Sequence, residues 1–183
     1  MKRALDIAAA FVGLVLAVPI MAAAAIAIRL DSPGPALFCQ TRVGRRRQLF
    51  TCYKLRTMHV GTAERATHLI GEAAITRFGR FARRTKLDEV PQLFNVLTGD
   101  MSLVGPRPCL PSQTELVEAR SRLGVFEARP GVTGLAQIQG VDMSTPQRLA
   151  ELDSEYLRSR TLTGDLRIIV ATIFGGSASA GPK

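Results

Sequence analysis

The sequence predicts an α+β protein that is mainly helical and that associates with a membrane. Residues 7–28 carry no charged side chain, which is typical of a membrane helix. Within residues 37–55, two short strand-like segments flank a basic turn and predict a small β-hairpin. Apolar residues recur at helical spacing through much of the remaining chain. Because 46% of the 183 residues are hydrophobic, we expect one domain with a substantial core.

The uncharged segment 7–28 is long enough to cross the roughly 30 Å hydrocarbon core of a bilayer as a helix. A cleaved signal peptide is the alternative, since Lys2 and Arg3 form a basic start. However, Asp6 interrupts that start, and the apolar run exceeds the roughly 7 to 15 residues of a signal-peptide core. We therefore expect an uncleaved membrane segment.

Positive charge lies at both ends of this segment, with Lys2 and Arg3 before it and Arg29 after it. The positive-inside rule therefore favours the cytoplasm for both ends. Pro19 leaves the carbonyl of Val15 without its helical partner and is expected to bend the helix. Because spanning helices also tolerate proline, these residues leave open a re-entrant helix and a kinked single pass.

The breaker cluster at residues 31–35 ends the membrane segment. Residues 37–41 and 49–55 are then predicted to be the two strands of the hairpin. Lys54 and Arg56 are separated by one residue, so on a strand they would share a face and could clamp a phosphate. A charged, solvated edge strand is the alternative, and this spacing alone favours it.

Asp88 and Glu89 form an adjacent acidic pair before a short apolar helix. Pro91 fits only the first turn, so we predict both acids at the helix start and Gly99 at its end. Nearby cations, including Arg83, and unpaired backbone N–H groups are expected to lower the pKa of both carboxyls. An ionised aspartate suits attack on phosphorus or metal binding, but this stretch alone favours simple helix capping.

Two later loops each present an arginine stiffened by proline. Residues 105–108 carry Arg107, and residues 129–134 begin with Arg129. Such loops can hold a guanidinium against a diphosphate, although each alone is better explained as a plain turn.

The end of the chain predicts two helices and a tail. Residues 146–158 have an apolar side, and residues 162–174 are apolar enough for an interfacial or a core helix. The small and polar residues 175–183 are expected to be disordered.

The formal net charge of +9 is concentrated between Arg42 and Lys86, where twelve Lys or Arg face only two acids. This distribution indicates a surface that meets anions such as phospholipids or phosphorylated small molecules. Without tryptophan, and with only two tyrosines, the chain offers no stacking platform, so we expect no nucleic-acid partner.

Several motifs occur in a fixed order: K-R-x-x-D, D-S-P-G-P, K-L-R-T-M, L-D-E-V-P-Q-L-F-N-V-L-T-G-D-M-S-L-V-G-P-R-P and R-P-G-V-T-G-L-A-Q-I-Q-G. In this order the chain resembles the bacterial sugar transferases known as small monotopic phosphoglycosyl transferases. The resemblance extends from Lys2 to about Phe174, and its central motif is long enough to be highly specific.

The resemblance implies transfer of a sugar 1-phosphate from a UDP-sugar to a polyprenyl phosphate, normally undecaprenyl phosphate, with release of UMP. This step would initiate a surface glycan such as an O-antigen, a capsule, an exopolysaccharide or a glycoprotein glycan. The resemblance assigns Asp88 as the nucleophile, which forms a covalent phosphosugar intermediate and binds Mg²⁺. Glu89 would organise the metal or handle protons. The residues expected to bind phosphate or nucleotide are Arg83, Lys54, Arg56, Arg107, Arg129, Asp153 and Gln137.

The family's membrane segment is a re-entrant helix, so the resemblance favours that alternative, with the helix break at Pro19. The implied organisation is a membrane helix at 1–30, a cytosolic catalytic domain at 31–174 and a tail at 175–183. The catalytic domain would lie, with interfacial amphipathic helices, on the cytoplasmic leaflet of the bacterial inner membrane.

Two departures from the family pattern limit what can be carried over. Val18 precedes Pro19 where many relatives have serine, so the bend angle is not predicted. Val141 stands where many relatives have a candidate ligand arginine. The sequence specifies neither the sugar nor the oligomeric state, and a homo-oligomer is among the alternatives.

Overall fold

A computed structural model describes residues 1–62 and 74–174, and the predicted tail 175–183 lies outside them. The fold is mainly helical with a small hairpin, as predicted. In chain order, its elements are α1 (Lys2–Asp31), β1 (Leu37–Val43), β2 (Leu49–Leu55), α2 (Arg77–Arg84), α3 (Gln92–Thr98), β3 (Ser102–Val104), α4 (Thr114–Arg122), β4 (Gly131–Thr133), α5 (Leu135–Ile138), α6 (Pro146–Ser159) and α7 (Leu162–Phe174).

β1 and β2 form the predicted antiparallel hairpin, in which Leu37 lies opposite Leu55. β1 extends two residues beyond the predicted strand. The N–H of Val43 donates to the carbonyl of Cys109 at 2.9 Å, and this contact ties the hairpin to the following domain. A second, parallel pair joins β3 to β4, and no sequence pattern predicts this pair.

The acidic pair lies on a 3₁₀ turn, Leu87–Glu89, rather than in the first turn of α3, so that prediction was wrong. Pro91 has no N–H to donate. Before it, the N–H of Val90 donates to the carbonyl of Leu87, three residues earlier, as in a 3₁₀ helix. Regular α-helix therefore begins only after Pro91. It ends at Gly99, as predicted, where a φ of 97° favours glycine.

α1 is a continuous helix of 30 residues with Pro19 inside it, so helical structure continues through the proline, and the bend predicted there stays a prediction. Proline removes one backbone hydrogen bond, and the bonds on either side maintain the helix. Within the described ranges, α1 is the one helix long and apolar enough to cross a membrane. In its middle part, six large apolar residues are each more than half exposed: Phe11, Val12, Val15, Leu16, Val18 and Ile20.

The first turns of α1 are fixed to the rest of the protein by polar contacts. Lys2 forms an ion pair with Asp165 of α7 at 2.6 Å. The guanidinium of Arg3 donates to the carbonyl of Val96 at 2.7 Å, at the end of α3. These contacts join the start of the chain to elements far along it.

The last turns of α1 pack against the same domain. Ile28 is buried in a cluster with Ala24 and Leu55. The buried guanidinium of Arg56 donates to the carbonyl of Ser32 at 2.7 Å. Both ends of α1 therefore contact one body, and the apolar stretch between them remains exposed.

The main core lies between α4 and α6, next to the first of the two arginine loops. Its buried members are Val43, Cys109, Leu116, Ala119, Phe126, Ala136, Leu149, Ala150 and Leu152. This core fixes the segment that follows β3, which carries Arg107.

Candidate active site

Glu89 is the centre of a partly buried ion-pair cluster. Its Oε1 accepts a hydrogen bond from Arg107 Nη2 at 2.6 Å and another from Lys54 Nζ at 3.3 Å. The Glu89 side chain is only 13% exposed. Three elements meet here: the end of β2, the 3₁₀ turn and the loop after β3. The structure thus brings together three of the predicted site residues.

Asp88 lies next to this cluster and is 9% exposed. Among residues 1–62 and 74–174, no hydrogen bond reaches its carboxylate, although Arg83, Lys54 and Arg107 act on it electrostatically. Arg83 is oriented by a hydrogen bond from its Nε to Oγ1 of Thr57 at 3.0 Å. The result is a largely buried carboxylate that has cations nearby and both oxygens available.

The two acids differ in their pKa shifts. Burial opposes the ionisation of Glu89, but Arg107 and Lys54 together outweigh it and lower the Glu89 pKa to about 2. For Asp88, burial is the largest effect and raises the pKa, although Lys54 acts in the opposite direction. The predicted lowering is therefore confirmed for Glu89 and wrong for Asp88, because loss of hydration outweighs the nearby cations.

The depressed pKa of Glu89 predicts a specific loss of stability in acid. Its folded-state pKa of about 2 lies below the ordinary value of 4.5, so its stabilising contribution is present above pH 4.5 and declines as the pH falls towards 2. The decline amounts to about 3 kcal/mol. We expect Glu89→Gln to lack it, as measured by denaturant unfolding at pH 7, 4 and 3. An identical decline in both proteins would contradict this ion-pair assignment.

Arg56 does not join Lys54 at the acidic pair. β2 ends at Leu55, and the Arg56 guanidinium instead donates to backbone carbonyls at the end of α1, including Pro33 at 2.6 Å. The phosphate clamp predicted from the spacing of Lys54 and Arg56 is therefore not formed. Arg56 holds the end of α1.

Arg129 and Gln137 make their hydrogen bonds to backbone carbonyls in the described structure, and neither bonds to the acidic pair. The Nε of Arg129 donates to the carbonyl of Gly99 at 2.7 Å, at the end of α3 opposite the acids. Gln137 donates to the carbonyl of Val132 at 3.3 Å. Its buried Oε1 has no hydrogen-bond partner in the part of the chain that the structure describes.

Asp153 is buried on α6 and is paired with Arg120 of α4, not with the acidic pair. Burial raises the pKa of Asp153, and Arg120 opposes that effect. The sequence analysis missed Arg120, although a signal was present. Arg120 shares helical spacing with Leu116 and Ala119, which both face the core, and an arginine at such a position needs a buried partner.

The carboxylates fit a magnesium ion that arrives with phosphate. No group of three or more His, Cys, Asp or Glu in the described ranges forms a complete metal cage. Mg²⁺ is usually held by one or two carboxylates together with substrate phosphates and water. Asp88 is the better ligand, because Glu89 Oε1 is already bound by Lys54 and Arg107.

Comparison with known proteins identifies the family of this chain. The family model described as "Bacterial sugar transferase" matches residues 1–177. The chain is 43% identical, over 94% of its length, to a UDP-glucose:undecaprenyl-phosphate glucose-1-phosphate transferase of Caulobacter vibrioides, of which it covers 68%. It is 37% identical to an Escherichia coli K12 protein with the same name, over 96% of this chain and 40% of that protein.

A third relative is the undecaprenyl-phosphate galactose phosphotransferase of Salmonella typhimurium, which is 36% identical over 94% of this chain and 39% of its own length. The chain thus spans about two-fifths of the last two relatives and about two-thirds of the first. The family match covers nearly the whole chain and includes every residue of the acidic cluster. The chain belongs to the bacterial sugar transferase family.

Proposed function

We propose that this protein transfers a sugar 1-phosphate from a UDP-sugar to undecaprenyl phosphate and releases UMP. The observation that carries the proposal is the buried carboxylate of Asp88, which has no hydrogen bond in the described ranges and lies among Arg83, Lys54 and Arg107. A carboxylate that is not engaged elsewhere can attack phosphorus, while the cations reduce repulsion from the diphosphate.

The proposed reaction has two displacements at one phosphorus atom. An oxygen of Asp88 bonds to the phosphorus that bears the sugar, the bond to UMP breaks, and UMP leaves with the bonding electrons. A phosphate oxygen of undecaprenyl phosphate then attacks the same phosphorus and releases Asp88 as the free carboxylate. The aspartyl phosphosugar retains transfer potential between the two steps.

Glu89 and its two cations have a positioning task in this proposal. Because the pKa of Glu89 is about 2, its carboxylate is ionised at neutral pH and does not store a proton. It holds Arg107 and Lys54 beside Asp88. Asp88, with substrate phosphates, would hold Mg²⁺, which supplies positive charge that offsets the diphosphate. Arg83, fixed by Thr57, would bind a phosphate oxygen.

The names of the relatives support a UDP-sugar and undecaprenyl phosphate as substrates, and they differ in the sugar. Two relatives are named for glucose and one for galactose. The product would begin the assembly of a surface glycan. The UMP-release assay with a panel of UDP-sugars identifies the sugar.

We further propose that the protein inserts into only the cytoplasmic leaflet of the inner membrane. Support comes from α1, whose two ends contact the same domain through Arg3 and Arg56. Exposed apolar side chains on α7 would extend the inserted surface: Leu166, Val170, Ile173 and Phe174.

This topology predicts cytoplasmic access at both ends of α1. The starting protein has the exposed Cys39 replaced by serine, and one cysteine is then introduced in place of either Lys2 or Pro33. We expect each introduced cysteine to react with a membrane-impermeant thiol reagent only after spheroplasts are opened. A cysteine on the periplasmic side of a known inner-membrane protein provides the control. Labelling of the Lys2 position in intact spheroplasts would contradict the single-leaflet proposal and support a spanning helix.

The activity is tested by UMP release from purified protein with Mg²⁺, undecaprenyl phosphate and a panel of UDP-sugars. We expect one or more UDP-sugars to give UMP in stoichiometry with lipid-linked product. Salt-sensitive binding of anions without UMP release from any donor would instead indicate a membrane-anchored binding protein.

A further inference from the structure

The loop at residues 105–108, which carries Arg107, is held almost entirely through its carbonyl groups. Pro106 and Pro108 have no N–H to donate. The carbonyl of Pro106 accepts from the N–H of Gly131 at 2.9 Å. The carbonyl of Pro108 accepts from Arg42 Nη1 at 3.1 Å. The carbonyl of Arg107 itself lies between these two contacts.

That central carbonyl accepts a hydrogen bond from Arg120 Nη1 at 2.8 Å. Two other nitrogens of Arg120 donate to Asp153, whose Oδ2 accepts from Nε at 2.9 Å and from Nη2 at 2.6 Å. Arg120 is 1% exposed and Asp153 is 3% exposed. Asp153 therefore fixes the plane of the Arg120 guanidinium. In this orientation, Nη1 points at the Arg107 carbonyl.

We propose that Arg120 is a positioning residue, which Asp153 orients and which places Arg107 for phosphate contact through the Arg107 carbonyl. The inference rests on the proposed transferase activity and extends it to two helices behind the site. It also changes the role of Asp153, which acts from behind Arg107 rather than as a ligand of the nucleotide.

The geometry favours positioning over stability alone. A buried ion pair contributes little net stability compared with apolar residues of similar size, because both charges lose their hydration. A planar guanidinium donates to Asp153 along one edge and to the Arg107 carbonyl from its third nitrogen, in one fixed geometry. Arg107 Nη2 in turn lies 2.6 Å from Glu89 Oε1, so a shift of the loop would move the cation beside Asp88.

The test compares a double variant with a conservative single variant. Arg120→Met with Asp153→Ala removes both charges together and leaves no unpaired buried ion. Arg120→Lys keeps a cation beside Asp153, but its single nitrogen cannot reproduce the three hydrogen bonds that the planar guanidinium makes from three nitrogens. We expect each to fold and to lower kcat by roughly tens to 100-fold with little change in KM, because small misplacements at a reacting centre have effects of that size.

A mutant cycle with Arg107→Ala separates positioning from a general effect. If Arg120 acts through Arg107, adding Arg107→Ala to the double variant lowers kcat no further than Arg107→Ala alone. The control variant carries Arg148→Met and Glu151→Ala, which removes an exposed ion pair from the same helix as Asp153. It should retain wild-type kcat.

Hydrogen exchange supplies a readout that does not depend on transfer. The amides of Gly105 and Gly131 donate to carbonyls that join the loop to β4, and we expect both to lose protection in the Arg120 variants. Full activity, additive losses with Arg107→Ala, or unchanged protection of these amides would each overturn the proposal. If the double variant does not fold, Arg120→Lys decides by the same criteria. A wild-type protein that never releases UMP would refute the proposed function, while the exchange data would still decide the role of Arg120.

Discussion

Asp88→Asn is expected to abolish sugar-phosphate transfer while leaving the fold intact. An amide cannot form the proposed bond to phosphorus, so kcat should fall by at least about 10⁴-fold. Because burial raises the pKa of Asp88, the folded protein disfavours its charge, and a neutral side chain should not reduce stability. UMP release and thermal unfolding of the same preparation measure both effects.

Glu151→Gln provides the matched control, since it also removes one carboxylate but from an exposed ion pair. It should retain full transfer activity. Mass spectrometry of wild-type protein quenched during turnover should detect a sugar phosphate on Asp88 and none in Asp88→Asn. Substantial turnover by the asparagine variant, in a preparation free of wild-type enzyme, would exclude Asp88 as the nucleophile.

Gly131→Ala is expected to lower the free energy of unfolding much more than Gly124→Ala does. A Cβ at this position would lie 2.1 Å from the backbone nitrogen of Gly105 and 2.4 Å from the carbonyl oxygen of Thr133. Both neighbours are backbone, so no side chain can move away. The β3–β4 pair and the Arg107 loop would have to separate, and we expect a loss of about 3 kcal/mol, the upper end of typical overpacking costs. Chemical denaturation of the wild-type and variant proteins, both with residues 175–183 and in the same membrane mimetic, measures this loss.

Gly124→Ala separates crowding from backbone conformation. Gly124 has a φ of 69°, and its Cβ would meet no heavy atom within 4 Å in the described structure. Alanine there should cost only about 1 kcal/mol, the ordinary penalty for a left-handed residue. Equal destabilisation by both substitutions would show that steric crowding at Gly131 is not decisive.

Elements with a strong local pattern could be predicted from the sequence. α6 and α7 begin where the apolar periodicity starts, and β2 has the predicted bounds. The end of α3 at Gly99 follows from the requirement for a left-handed residue. In each case, neighbouring residues alone determine the backbone conformation.

Features that depend on distant residues could not be predicted in this way. β3 and β4 have three residues each, too few for a period, and they pair across residues 105–130. The raised pKa of Asp88 depends on burial by surrounding elements, whereas only nearby charges are visible in the sequence. Arg56 was assigned to the site from strand spacing, but β2 ends one residue earlier.

The candidate site shows the same division. The motif order placed Asp88, Glu89 and Arg107 in one segment, and the structure brings Lys54 to them from the hairpin. Arg129 lies at the opposite end of α3, because its Nε binds Gly99. A motif shows which residues lie close together in sequence. The direction of a side chain such as that of Arg129 depends on its hydrogen-bond partner, which only the structure shows.

The attachment of α1 at both ends also has a consequence for biosynthesis. Translation makes Lys2 163 residues before its partner Asp165. The first turn of α1 can therefore contact α3 through Arg3 before the ion pair with α7 can form. A polypeptide that ends before Asp165 would lack this ion pair, so the closing of α1 onto α7 is a late step in folding.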